Sequence, residues 1–322
     1  MRILMKLLLA AVCAGITAPA GAQSYPTKAV RIIVPFPPGA GVDIVTRAVS
    51  GKLGEALGQQ LIIDNRAGAG GIVGAEVAAK APADGYTLFM GTAGILTVIP
   101  HMHSKAPYSV ERDFIPVSLV ASVPSMLVVH PSLPVKSVKE LIALARAKPG
   151  ALNYASTGNG TLPHLAAEFF KAQAKINMVH VAYKGSAPAT TDLLSGQVEV
   201  FFGNVLSVIE QVRGGRLRAL AVTSLQRQAV APDVPTMVES GFPGFEAGTW
   251  FGLLAPAGTP RDIIARLHTE VAKTVRLPDV QKQLAGQGAT TIGNTPEQFA
   301  AYIKTESAKW AKVLAASGVR AD

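Results

Sequence analysis

The 322-residue chain carries 30 Lys and Arg against 21 Asp and Glu, a formal charge of +9, with aromatics at 6% and a single cysteine. A nucleic-acid binder concentrates such charge in a basic stripe or an aromatic stacking platform, whereas here Lys and Arg are scattered. One cysteine excludes an internal disulfide and a cysteine-ligated metal cluster, and the charge supports only a mild preference for acidic solutes or an anionic surface.

The first predicted element is an export signal. Arg2 and Lys6 precede the apolar or small run Leu7–Ile16, and Ala20-Gly21-Ala22 offers a small-residue cleavage site. That run is shorter than the roughly 20 residues needed to span a bilayer, and Val12 before Cys13 argues against lipidation. Cleavage near Ala22 removes residues 1–22 and leaves 300 residues, a formal charge of +7 and no cysteine. The product is expected to be soluble, exported and, from a Gram-negative source, periplasmic. A chain of that length usually buries its core as two lobes.

Strand and helix signals then alternate. Val30–Phe36 is a β-branched run, and Val42–Leu57 places Val45, Val49, Leu53 and Leu57 four apart on one helical face. Further strands are expected at Gln60–Asp64, Tyr86–Met90, Met126–His130, Leu152–Ala155, Met178–Tyr183, Val198–Phe202, Leu217–Thr223 and Trp250–Ala255. Helices are expected at Gly71–Lys80, Val138–Ala147, Leu162–Ala174, Ala187–Leu194, Val208–Val212 and through most of the chain beyond Pro260. Ser137 with Glu140 fits a capping box. Thr259-Pro260 and Thr295-Pro296 place a capping hydroxyl before a proline at the first helical position. Apolar strands alternating with helices predict an α/β fold with parallel sheets covered on both faces.

Three glycine-bearing turns connect an apolar strand to a helix: Pro35–Asp43 (PFPPGAGVD), Asn65–Gly71 (NRAGAGG) and Ala155–Thr161 (ASTGNGT). Such a turn leaves backbone N–H groups unpaired at a helix start, where the helix dipole adds partial positive charge. Each is a candidate carboxylate cradle. The first and third echo each other about one lobe apart, as two similar lobes facing across a cleft would require.

Other chemistry finds less support. Gly68 to Gly74 resembles a dinucleotide fingerprint, but the next strand ends without the carboxylate that holds a ribose. His101 and His103 lack a third and fourth ligand at zinc-like spacing, so no metal and no cofactor are expected. His130, His164, His180 and His268 are isolated, and no G-x-S-x-G elbow occurs. A triad assembled in space stays open. Asp43 reads as a first-turn carboxylate favoured by the helix dipole, and Lys184 as either a point-charge partner for a carboxylate or a solvated loop lysine.

The run YPTKAVRIIVPFPPGAGVD resembles the opening of the Bug family, the solute receptors of tripartite tricarboxylate transporters. The resemblance continues through IIDNRAGAGGIVGAEVAAKAPADGYTLFMGT, YASTGNGTLPHLAAEFF, HVAYKGSAPATTDLLSGQVEVFFGN, GRLRALAVTS and APDVPTMVESGFPGFEAGTWFGLLAPAGTP, in the family's order. It implies a type II periplasmic binding protein: two α/β lobes joined by two crossing strands, with a small carboxylate in the cleft between them. It also implies that the first lobe lines the cleft with Phe36, Gly39, Ala40, Asp43, Ala69, Gly70 and Thr92. The second lobe contributes Ser156, Thr157, Asn159, Thr161, Lys184 and Asn204. Many members of the family carry an aspartate where this chain has Gly203, which leans away from an ammonium-bearing ligand.

The resulting expectation is a non-catalytic, monomeric receptor that meets membrane transporter subunits transiently and binds no nucleic acid. Residues 23–124 form lobe I, 125–246 lobe II, and 247–322 return to lobe I, with crossings near Ser122–Ser125 and Glu246–Thr249. The alternatives are an exported hydrolase or lyase, marked by a nucleophile–base pair under about 3.2 Å beside the glycine turns, a receptor feeding a sensor, or a scaffold without ligand.

Overall fold

A computed structural model describes residues 25–102 and 106–317. The export signal with Cys13, the cleavage site and His103 lie outside the described residues.

The chain begins with β1 (Val30–Val34), α1 (Gly41–Leu57), β2 (Leu61–Asn65), a short 3-10 turn at Ala69–Gly71 leading into α2 (Ile72–Ala79), and β3 (Thr87–Thr92). Strand β1 pairs in parallel with both β2 and β3. Val30, Ile32, Ile33 and Val34 are all fully buried, as a central strand covered on both faces requires. Helix α1 turns Val45, Val49, Leu53 and Leu57 into the core, the face expected from their spacing, and stops at Gly58 in the left-handed region.

After β3 comes a turn of π-helix at Gly94–Val98, then two short helices, α3 (Ile99–Met102) and α4 (Val110–Asp113). The next strand, β4 (Phe114–Val129), is 16 residues long. Only its end, Met126–His130, was expected as strand, because Pro116, Ser118, Ser122 and Pro124 interrupt the apolar pattern. This strand couples two half-sheets. It pairs antiparallel with β9 (Gly248–Pro256) as far as Pro124–Gly248, and with β7 (Val200–Asn204) from Ser125–Asn204 onward.

The second half-sheet is built from α5 (Val138–Ala147), β5 (Asn153–Ser156), α6 (Leu162–Ala174), β6 (Val179–Ala182), α7 (Ser186–Leu194), β7, α8 (Val205–Arg213) and β8 (Arg218–Val222). Strand β5 pairs in parallel with β6 and β7. The sheet order is β2-β1-β3-β9-β4-β7-β5-β6, with β8 and β10 (Thr290–Thr291) also on β4. The expected α/β class is observed, with one correction. The sheets are mixed: every pairing of β4 and the pairing of β3 with β9 are antiparallel, because a strand that crosses between halves must run against one neighbour set.

Helices α9 (Arg261–Thr274), α10 (Pro278–Ala285) and α11 (Pro296–Ser317) return to the first half. There α9 packs on α1 and α11 on the π-helical turn, and Trp250 meets Phe299 edge to face at 5.6 Å. Thr295 caps α11 as expected, accepting from the Gln298 amide while Gln298 returns a bond to the Thr295 amide. Thr259 does not cap α9. Its hydroxyl donates to Pro256 O at 2.7 Å, and the helix starts after Pro260. One apolar cluster runs from Val30 through Val123 and Met126 to Val222, so the core is continuous across the crossing.

Candidate functional site

The half-sheets meet at a cleft of two chambers that share Phe36, Gly70 and Thr157. The inner chamber has a volume of about 50 Å³. A single water needs roughly 10–15 Å³ of such space, so it admits a carboxyl group and a little water but not a ring. The outer chamber, about 310 Å³, has room for the remainder of a small molecule.

Three helices begin in the wall of the inner chamber. Gly41 and Val42 open α1, Leu162 and Pro163 open α6, and Ser186 opens α7. None of the three has a side-chain cap. Their first-turn N–H groups are therefore left for a ligand or water. The sequence forces this. The cap positions of α1 and α7 are Ala40 and Gly185, which have no side-chain acceptor. At α6 the cap is Thr161, but its hydroxyl donates to Gly158 O at 2.7 Å. A fourth helix start is closed: Asn204 Oδ1 accepts the Leu206 amide at 3.0 Å, which leaves the Asn204 Nδ2 donor in the chamber, beside Gly41.

Of the expected site residues, Phe36, Ala40, Gly70, Thr92, Thr157, Thr161 and Asn204 line the inner chamber. Ala69, Asn159 and Lys184 line the outer one. Asn159 and Thr161 therefore face different chambers, since the turn between them reverses at Gly160 with φ 71°.

Gly39, Asp43 and Ser156, also expected at the site, line neither chamber. The Asp43 carboxylate, 2% exposed, accepts from the Gly39 amide (2.9 Å), Arg47 Nε (2.9 Å) and Asn65 Nδ2 (3.0 Å). Burial alone would raise its pKa, but these donors outweigh it and hold the carboxyl below the usual range. Asn65 also donates to Phe36 O at 2.8 Å, so Asp43 shapes the turn from behind. Ser156 is fully buried and its hydroxyl lies 2.6 Å from His180 Nε2. Gly203 is also turned away: a Cβ there would sit 2.6 Å from Val208 Cγ1 and 2.8 Å from the Phe201 ring. A residue with a side chain at 203 would displace packing behind the sheet.

Gly94, Ser125, Ser186, Thr249 and Phe251 are cleft residues that the sequence reading missed. Ser125 and Thr249 sit inside the stretches expected to cross, and that expectation was the available signal: a crossing strand must pass the floor of the cleft. Ser186 follows the Lys184-Gly185 turn directly, at a helix start expected one residue later.

The two halves touch across the cleft through backbone. A Cβ on Gly158 would lie 3.2 Å from Gly70 Cα, and one on Gly70 would lie 3.0 Å from Asn159 O. Only a residue without a Cβ permits that approach.

Among the described residues, neither chamber is lined by Asp or Glu, and Lys184 is the one charged residue on either wall. The wall offers N–H and hydroxyl donors, with no counter-charge for an ammonium group. Among the described residues no group of three or more His, Cys, Asp or Glu is placed to hold a metal, and His101 Nε2 is 2.7 Å from Ser307 Oγ. The Ser156–His180 pair meets the distance test for a nucleophile and base but not the test of access, because Ser156 Oγ is sealed behind the turn and also accepts the Gly158 amide at 3.2 Å.

Residues 45–319 match the family model described as "Tripartite tricarboxylate transporter family receptor". The chain is 41% identical over 310 residues to protein BugT of Bordetella pertussis, covering 95% of this chain and 94% of that one. Its structure is similar to R. palustris Rpa4515 with adipate, with a TM-score of 0.90, 37% identity and coverage of 92% and 99%. It is also similar to MatC of Rhodopseudomonas palustris with bound malate, with a TM-score of 0.86, 31% identity and coverage of 90% and 100%.

Proposed function

Because this chain belongs to the tripartite tricarboxylate transporter receptor family, we propose that it is an exported, periplasmic receptor that captures a small carboxylate between two lobes. It hands the ligand to membrane transporter subunits and performs no chemistry on it. The observation that carries this reading is the convergence of three uncapped helix starts on one small chamber without an acidic wall. Backbone donors at helix starts gain most from a full negative charge. The ligand's leading carboxylate enters the inner chamber, and its body lies in the outer chamber toward Lys184. The relatives that hold adipate and malate, both dicarboxylates, support that class. The absence of a carboxylate on either wall favours acids without an ammonium group.

The lobes divide at the change of strand partner between Pro124 and Ser125, with 23–124 and 247–322 against 125–246. No described helix is long and apolar enough to cross a membrane.

Native mass spectrometry of protein purified without denaturation identifies the acid that co-purifies. Calorimetry with that acid and its primary amide then tests the chemistry: the acid binds and the amide does not, and equal affinities would overturn the proposal. A hydrolase is the second reading, favoured by the 2.6 Å Ser156–His180 contact. A fluorophosphonate probe that labels Ser156 would establish it; no labelling is expected.

A further inference from the structure

Behind the Ser156–Thr161 turn, on the side away from the cleft, stand three parallel rings. Tyr154 of β5 stacks on His180 of β6 at 4.9 Å, and His180 stacks on His164 of α6 at 4.1 Å with only 7° between planes. Both imidazoles end on the turn. His164 Nδ1 accepts the Gly160 amide at 3.2 Å. His180 Nε2 meets the Ser156 hydroxyl, which itself accepts the Gly158 amide. Two of the turn's backbone amides are thus fixed by a histidine directly or through one hydroxyl, while Thr157 and Thr161, between and beside them, face the inner chamber. We propose that His164 and His180 are positioning residues for the ligand-binding turn: a stacked, neutral imidazole pair that aims Thr157, Thr161 and the start of α6 at the ligand. This rests on the reading of that turn as a ligand wall.

The hydrogen-bond chemistry dictates the protonation state. A backbone amide can only donate, so His164 Nδ1 must lack a proton and the neutral ring carries it on Nε2. Protonating Nδ1 would leave the Gly160 N–H facing another N–H. Two imidazolium rings stacked at 4.1 Å would also repel. Around the pair, Glu168 of α6 is engaged by Lys171 Nζ at 2.6 Å and by the Tyr154 hydroxyl. It attracts a proton toward the histidines, and Lys171 opposes one with a smaller effect. Burial then keeps both rings neutral: His164 is held below its ordinary range, and His180 is pushed down to about 4 by burial first and by its neighbour His164 second.

Two measurements on the ligand-free full chain test this. Long-range nitrogen–proton NMR at pH 6 should show His164 neutral with its proton on Nε2; a charged ring or an Nδ1–H tautomer overturns the proposal. Hydrogen exchange of the 158–161 amides should speed at least about tenfold in His164→Leu. His164→Asn, whose Oδ1 replaces the Nδ1 acceptor, should restore slow exchange. Equal exchange in wild type and His164→Leu overturns the proposal, as does failure of Asn to restore it. With adipate as the probe, His164→Leu should bind at least about tenfold more weakly than wild type and His164→Asn should recover most of that loss. A wild-type protein that binds no acid refutes the functional reading, while the exchange and tautomer results still decide the role of the histidines.

Discussion

The Pro35–Asp43 and Ser156–Thr161 turns have the same backbone plan, a buried strand ending in a glycine turn that feeds an uncapped helix start, yet opposite chemistry holds them in place. Behind the first is an ionised carboxylate with Arg47, Asn65 and the Gly39 amide around it. Behind the second is a stack of three rings, with the Glu168–Lys171 ion pair set beyond it at the Tyr154 hydroxyl. A cleft that attracts anions needs donors on both walls, but the supports behind those donors are free to differ. They therefore fail under different conditions.

The largest expected effect is on the charged side. Asp43→Ala removes the acceptor of the Gly39 amide and Arg47 Nε, and leaves Asn65 Nδ2 with only its bond to Phe36 O. Hydrogen bonds to a charged group contribute about 1.5–3 kcal/mol each, partly recovered here by solvent at the half-exposed Arg47, so a loss of about 3 kcal/mol is expected from urea denaturation. His164→Leu on the other side should cost less stability and more affinity. If Asp43→Ala unfolds no more easily than wild type, the first turn does not depend on its carboxylate.

Acid should separate the two supports. The folded pKa of His180, near 4, lies below its ordinary 6.5. The unfolded chain therefore binds more protons between those values, and stability falls as pH drops through that window and levels off below it. Asp43, depressed below 3.8, keeps most of its contribution through that range and begins to lose it only as pH approaches 3.8, the loss continuing down through its folded value. Denaturant midpoints measured from pH 7 to pH 4 should decline in wild type and decline less in His180→Gln. Parallel slopes in the two proteins would remove the histidine from this account.

The seam where the walls touch gives a third contrast. Gly70→Ala puts a methyl 3.0 Å from Asn159 O at a φ of +65°, so the halves cannot approach as they do here. Adipate affinity should fall about tenfold, ~1.4 kcal/mol. A site shared by two walls is expected to close on its ligand, so small-angle scattering should show less compaction on ligand addition than in wild type, and unchanged compaction would mean that closure does not pass through this contact.

Asn204→Ala removes the cap of α8 and one donor from the inner chamber. About 1 kcal/mol of stability should be lost, with weaker binding. Lys184→Met is expected to have the smallest effect, a few-fold loss of affinity that shrinks as salt rises, because an exposed charge at the mouth is screened. A large salt-independent loss would place Lys184 deeper in recognition than its position on the outer chamber indicates.

Two helices were legible with their ends: Val138–Ala147, where periodicity and the Ser137 cap agree, and Leu162–Ala174, where periodicity follows a glycine turn without a side-chain cap. The first and third glycine turns lead into two of the three uncapped helix starts on the inner chamber, whereas the second borders the outer chamber and the remaining uncapped start follows Gly185. Ala40, Gly70 and Thr161, which the family resemblance implies for the site, line the inner chamber. What stayed hidden depends on contacts between segments distant in sequence. The first two-thirds of β4 carries prolines and serines that obscure a strand, and becomes one only because β9 supplies its hydrogen bonds. Ser156 reads like its neighbour Thr157, but pairing of β5 with β6 brings His180 beside it and turns the hydroxyl out of the cleft. Asp43 sits at a helix start where an anion-binding turn would place it, and is drawn away by Asn65, 22 residues on. Local backbone chemistry is written in short stretches of sequence and survives any packing. Which polar side chains face the ligand and which support the wall behind it depends on the partners that folding brings within hydrogen-bond reach, and no spacing in the chain encodes that distance.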